Sequence, residues 1–140
     1  MAMKMSEIYD LTARPSHEEM RMVYDSIILP IVLAVVRHNQ QELHKKARSL
    51  RSLFVRTADI IIARIEADLA LSRRFILSRN IAINEEKNNS TSVNYLVTYR
   101  SYEESLAFSR DYLLLEINER IAAYMAEIFR KEYQHKKSPN

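Results

Sequence analysis

The chain has 140 residues, contains no glycine and no cysteine, and carries 21 basic against 18 acidic side chains. The missing glycine excludes glycine-rich phosphate loops and nucleophile elbows, and the missing cysteine excludes disulfides, thiolate metal sites and cysteine nucleophiles. The length predicts a single helical domain over residues 1–140, with flexible ends at 1–14 and 135–140.

A first helix is predicted from His17 to about His38. Ser16 and Glu19 have the capping-box spacing, in which each side chain accepts a hydrogen bond from the backbone N–H of the other residue. This pairing satisfies two of the amides that a helix start leaves without an intrahelical partner.

The most apolar run of the chain, SIILPIVLAVV, occupies residues 26–36 of this helix. It is about 15 Å long as a helix, too short to cross a bilayer, and Pro30 should kink it. A helix that is apolar on all sides must be covered on all sides, so the run favours oligomerisation. The first-helix residues that we expect in the interface are Ile27, Ile31 and Val35.

A second helix is predicted from Gln41 to Arg74, with apolar residues at steps of three and four. Basic residues cluster on roughly the opposite side of this segment: Arg37, His44, Lys45, Arg48, Arg51 and Arg56. Such a face is typical of a solvated helix surface, of a nucleic-acid contact or of a contact with an acidic protein partner, and all three interpretations stay open.

Residues 75–100 change in character. Val93, Tyr95, Val97 and Tyr99 alternate with other residues at period two, and a polar, turn-prone stretch precedes them at 84–92. The pattern favours either a small two-stranded β ribbon or a fraying helix followed by an irregular loop.

A third helix is predicted from Tyr102 to about Tyr133, because Ser101 and Glu104 repeat the capping-box spacing. Its length of about 45 Å exceeds what a small domain needs, so it packs along the second helix or pairs with a copy of itself. The interface residues expected on this helix are Leu113, Ile117, Tyr124 and Ile128.

Catalytic patterns are sparse. His38 and Glu42 share a helix face, but no second pair completes a metal site, and we expect neither a metal nor a cofactor. The segment from Arg130 to His135 resembles the R-x4-6-H motif of HEPN-type helical ribonucleases over six residues. That resemblance implies an RNA-cleaving pair near the end of a helix, usually acting across a dimer.

The sequence therefore predicts an all-α or mostly α helical bundle of three principal helices, completed by oligomerisation. We expect a small non-catalytic interaction or regulatory protein that works as a homodimer or complex subunit. The alternatives are a nucleic-acid-binding protein and a HEPN-like ribonuclease. No secretory signal is visible, which favours the cytoplasm, or the nucleus in a eukaryote.

Overall fold

A computed structural model of the chain describes residues 14–46 and 50–137, without the side chains of 46 and 132–137, and shows a mixed α/β fold. Its elements are α1 (His17–Lys46), α2 (Arg51–Ser78), β1 (Ile81–Glu85), β2 (Ser92–Tyr99), β3 (Tyr102–Ser109) and α3 (Arg110–Lys137). The prediction of a helical bundle with at most a two-stranded ribbon is wrong. Three helices are present, but a three-stranded antiparallel sheet in the order β1–β2–β3 separates the last two.

The first two helices form an antiparallel hairpin whose turn lies later than the sequence predicts. The break expected near 38–41 is absent because α1 continues to Lys46. There Gln40 ties the two helices together, since its side-chain amide donates to the Val55 carbonyl and to Asp59 Oδ1, at 3.0 and 2.7 Å. The predicted second helix from Gln41 is therefore wrong at its start, and residues 41–46 belong to α1.

The apolar run at 26–36 lies in the core of the chain itself. The side chains of Ile28 and Val32 are fully buried, and Ala34 is the one residue of the run that is exposed. The helix continues through Pro30, and Ser26 Oγ donates to Ser72 Oγ on α2 at 3.0 Å. Since α2, α3 and the sheet contribute to the same core, this run no longer argues for a partner chain.

The sheet covers α1 with one face and leaves the other to solvent. In β3, Leu106 and Phe108 are buried while Ser105 and Ala107 are exposed, which is the period-two pattern of a half-covered strand. The Phe108 ring meets Tyr24 of α1 edge to face at a centroid distance of 5.3 Å. The predicted start of the third helix at residue 102 is therefore wrong by one whole strand.

A two-residue turn between β2 and β3 replaces the expected capping box. Tyr99 pairs with Tyr102, so that Arg100 and Ser101 form the turn, and Arg100 has a φ of 58°. This left-handed conformation usually falls to glycine, which the chain lacks. Asn80, with a φ of 55°, performs the same task between α2 and β1.

The side chain of Arg100 joins this turn to the start of α1. Glu19 and Ser16 form the predicted capping box, which the structure confirms. The two backbone nitrogens lie 2.9 and 3.1 Å from the side-chain oxygens that accept their hydrogen bonds. Glu19 is only 3% exposed, and its carboxylate accepts bonds from both terminal nitrogens of Arg100, at 2.7 and 3.3 Å. These bonds from Arg100 lower the pKa of Glu19 to about 2.

The hydroxyl of Tyr99 is buried without a hydrogen-bond partner among the described residues. Burial raises its pKa to about 12. Because an unpaired buried hydroxyl costs about 1–3 kcal/mol, we expect Tyr99→Phe to raise the free energy of unfolding by about 1 kcal/mol. Urea unfolding followed by circular dichroism measures this change.

Tyr124→Phe is the matched control for that measurement. The Tyr124 hydroxyl donates to Asp68 Oδ2 at 2.6 Å, so the same substitution there should lower the free energy of unfolding. A clear loss of stability in Tyr99→Phe would show that its hydroxyl has a partner after all.

Candidate interaction surface

An apolar groove of about 160 Å³ lies where the second half of α1, the first half of α2 and the middle of α3 meet. Its apolar walls are Val36, Leu43, Phe54, Ala58, Ile61, Ile121 and Met125. The groove forms where Ile121 and Met125 of α3 face the α1–α2 hairpin without filling the space between its two helices. The groove is therefore the open end of the core.

Large apolar side chains surround the opening of the groove. Leu50, Leu53 and Phe54 at the start of α2 are 53, 59 and 43% exposed. On α3, Met125 is 38% exposed and Phe129, one turn further along, is 59% exposed. The groove therefore continues into an apolar rim on both sides.

The rim continues into a second apolar stripe along the outer side of α3. Leu115, Asn118, Ala122, Met125 and Phe129 follow each other at steps of three and four, and all five are exposed. Such spacing places side chains on one face of a helix and is typical of a helix-pairing seam. We call this outer stripe and the groove with its rim, together with Leu114 beside Leu115, the apolar surface.

Polar contacts hold α3 in this position. Arg120 Nη1 donates to Asp25 Oδ1 of α1 at 2.8 Å, and Arg120 Nε donates to Glu116 Oε1 at 3.1 Å. Arg64 of α2 pairs with Glu127 at 2.8 Å. These pairs fix the position of α3 against the hairpin, and the outer stripe stays exposed.

The same contacts account for the polar pocket of about 250 Å³ around Arg120. Burial alone would lower the pKa of Arg120, but its bonds to Asp25 and Glu116 outweigh this and raise it. Burial and the bond to Asp68 raise the pKa of Tyr124. The charged groups of the pocket are paired with each other, so the pocket is a structural clamp between α1, α2 and α3.

The predicted basic face is divided between two helices. Arg37 is ion-paired with Glu66, Lys45 lies 4.0 Å from Glu42, and Arg51 donates to the His44 carbonyl at 2.9 Å. His44 and Lys45 lie in the last turn of α1, whereas Arg51 begins α2.

Two residues of the predicted basic face remain to be placed. Arg56 is exposed on α2, and Arg48 lies outside the described residues. The structure thus does not align the predicted residues along one helix, although it keeps most of them near the end of the hairpin.

The predicted interface residues lie in the core or against it. Ile27, Leu113 and Ile117 are buried within the chain. The others pack half-buried against the same core: Ile31, Val35, Tyr124 and Ile128. The open surface of α3 is a different face of the same helix.

The other kinds of site considered from the sequence have less support in the structure. In the parts of the chain that the structure describes, no group of three or more histidine and carboxylate side chains could hold a metal ion. Arg130 is exposed on α3, but the side chain of His135 lies outside the described set, so the HEPN-like pair stays a prediction. Across residues 14–46 and 50–137, no helix combines the length and the apolar character that crossing a membrane requires.

Sequence reasoning missed the outer stripe, although its signal is present. α3 carries two apolar stripes, one through Leu113 and Ile117 and the other through Leu115, Ala122 and Phe129. We identified only the stripe through Leu113 and Ile117, and assigned its residues to the interface. A helix that is apolar on two faces needs a packing partner against each face.

Comparison with known proteins gives a family and no described relative. No curated protein and no solved structure matches the chain significantly. A family model described as YhjD protein matches residues 14–129, from just before α1 to the Phe129 position of the outer stripe. The chain therefore belongs to the YhjD protein family.

Proposed function

We propose that this chain is a non-catalytic interaction protein that works as a homodimer through the apolar surface. The observation that carries the proposal is the continuity of that surface across two helices, from Leu50 and Phe54 on α2 to Met125 and Phe129 on α3. A core that is open at one end and continues into exposed side chains is typical of a surface that a protein partner covers.

The size of the surface suits a dimer. Seven large apolar side chains belong to it, each 38–61% exposed: Leu50, Leu53, Phe54, Leu114, Leu115, Met125 and Phe129. Together they expose apolar area on the order of 600 Å², at roughly 150 Å² for each whole side chain. A standard interface buries about 800 Å² per partner, a little over half of it apolar.

Charge favours a second copy as the partner. Among residues 37–45 and 50–56, at the groove end, the described basic residues stand against the single acid Glu42: Arg37, Lys45, Arg51 and Arg56. Residues 81–119, in the sheet and the first half of α3, carry seven acids against three bases. Each chain thus contains both members of a complementary pair, which two copies in opposite orientation can bring together.

The non-catalytic part of the proposal is supported by the polar clusters. Arg120 holds Asp25 and Glu116 in ion pairs, and Arg100 holds Glu19, so both clusters serve the fold. The apolar surface has neither a nucleophile with a neighbouring base nor a buried carboxylate among its described residues.

Light scattering coupled to size exclusion tests the dimer. At tens of micromolar we expect twice the chain mass of 16.5 kDa. Leu115→Glu combined with Phe129→Glu should give the monomer mass, because it places charges at both ends of the outer stripe. Circular dichroism checks that this variant stays helical.

The matched control is Leu77→Glu, at a residue 73% exposed at the far end of α2, which should stay dimeric. A monomer for the unsubstituted chain at these concentrations contradicts the proposal. Equal masses for the double variant and the control would show that the dimer uses another surface.

A further inference from the structure

We infer that the two α3 helices of the dimer pair antiparallel about Ala122, so that the first half of the partner's α3 covers the groove. This inference rests on the proposed homodimer and specifies its arrangement. It combines the side-chain order of the outer stripe, the charges at its two ends and the position of the groove.

The two ends of the outer stripe are symmetric in side-chain size about its centre, whereas Met125 faces the partner's Glu119. Ala122 stands in the middle, and the large residues Leu115 and Phe129 stand seven positions before and after it. Antiparallel pairing about Ala122 places Leu115 against the partner's Phe129. The small residue at the centre lets the helices approach closely, and the large residues fill the space where they diverge.

The polar position of the stripe fits the same pairing. Asn118 lies four positions before Ala122 and faces the partner's Ala126, four positions after it. Both residues are exposed at the edge of the stripe, where the amide keeps access to water. Parallel pairing would instead align Leu115, Asn118 and Phe129 each with its own copy, so that the two Asn118 amides would face each other.

Charge selects the antiparallel direction. The exposed charges of the first half of α3 are Arg110, Asp111 and Glu119, and those described in the second half are Arg130 and Lys131, which lies 3.4 Å from Glu127. Antiparallel pairing brings each acidic half beside a basic half, whereas parallel pairing brings like charges together. Opposed helix dipoles act in the same sense.

Antiparallel pairing places the first half of the partner's α3 over the groove. Met125 lines the groove and Phe129 follows it on the rim, so the partner's Leu115 arrives beside the opening. Leu114, its neighbour, is 61% exposed and has no buried role within its own chain. The partner's Leu114 and the partner's Leu115 therefore extend toward the exposed Phe54 on the other side of the groove.

Disulfide trapping tests the arrangement, and the cysteine-free chain provides a clean background. Ala122→Cys lies on the proposed two-fold axis and should form a covalent dimer on mild oxidation, since a disulfide requires Cα atoms about 4.4–6.8 Å apart. Leu115→Cys alone should not, because the two copies lie about 21 Å apart along the helices. Mixing Leu115→Cys with Phe129→Cys should yield the mixed covalent dimer.

Ala63→Cys, exposed on the side of α2 away from the groove, is the control and should stay monomeric under denaturing conditions after oxidation. Light scattering of the same samples before oxidation tests the homodimer separately from its antiparallel arrangement. A dimeric mass with trapping of Leu115→Cys alone, or with no trapping of Ala122→Cys, overturns the antiparallel arrangement and leaves the homodimer standing. A monomeric mass overturns both.

Discussion

Replacing Arg100 with alanine is expected to lower the free energy of unfolding by about 3 kcal/mol at neutral pH. The substitution leaves the Glu19 carboxylate buried, and of the two capping-box bonds only the one from the Ser16 backbone N–H reaches it. A buried charge that loses its partner is costly, whereas the backbone strain at φ 58° is the same for arginine and alanine. The loss therefore reports the ion pair together with the longer bonds of Arg100 to the Arg79 and Arg14 carbonyls, at 3.5 and 3.4 Å.

The effect should depend on pH in a defined direction. The pKa of Glu19 is lowered from 4.5 to about 2 in the folded chain, so the unfolded chain binds the proton more readily between these values. The stabilisation by the pair is complete above pH 4.5 and is lost as the pH falls toward 2. The difference between the unsubstituted chain and Arg100→Ala should accordingly shrink as acid is added.

Urea unfolding followed by circular dichroism at neutral pH, pH 4.5 and pH 3 measures both effects. Arg73→Ala, at an exposed site on α2, is the control and should change stability by less than about 0.5 kcal/mol at each pH. Arg100→Gly removes the same ion pair but relieves the turn, so it should be about 1 kcal/mol more stable than Arg100→Ala. A loss in Arg100→Ala that is equal at all three pH values would contradict the role of Glu19.

Leu29→Ala is expected to cost about 3 kcal/mol of unfolding free energy, the second large effect. Leu29 is 2% exposed in the middle of α1, and its truncation leaves a cavity inside the core. The value lies toward the lower end of the range for buried leucines because Leu29 borders the polar pocket at Arg120, where the surroundings can relax. Thermal and urea unfolding measure the change.

Leu77→Ala makes the same chemical change at a residue 73% exposed, and should alter stability by less than about 0.5 kcal/mol. Both residues are helical, so the difference between the two variants isolates burial from helix propensity. Equal small losses would show that the apolar run of α1 is not the centre of the core.

Local rules predicted part of this fold well. The Ser16–Glu19 capping box and the apolar run at 26–36 depend on contacts a few residues apart or on composition, and the structure has both. The β3 strand was missed because the spacing of Ser101 and Glu104 also fits a helix start. Leu106 and Phe108 alternate with polar or small residues, but this pattern indicates a strand only when β2 is known to lie beside it.

The candidate site was harder to predict than the fold. Which of two apolar stripes on α3 is covered depends on how the helix is oriented over the hairpin, and Arg120 fixes that orientation through Asp25, 95 residues earlier in the chain. No pattern within a single helix reports such a long-range contact. The sequence therefore indicated a helix-pairing function while assigning it to residues that pack in the core.

The central position of α1 has a consequence for synthesis. α1 is the first of the described helices to leave the ribosome, yet residues as late as Ile117 are needed to complete the core around it. At about 5–20 residues per second, the run that ends at Val36 waits several seconds for its last cover. During that interval the nascent chain exposes its most apolar segment to chaperones. Premature termination after α2 would leave that segment partly uncovered, in a product that quality-control proteases should recognise.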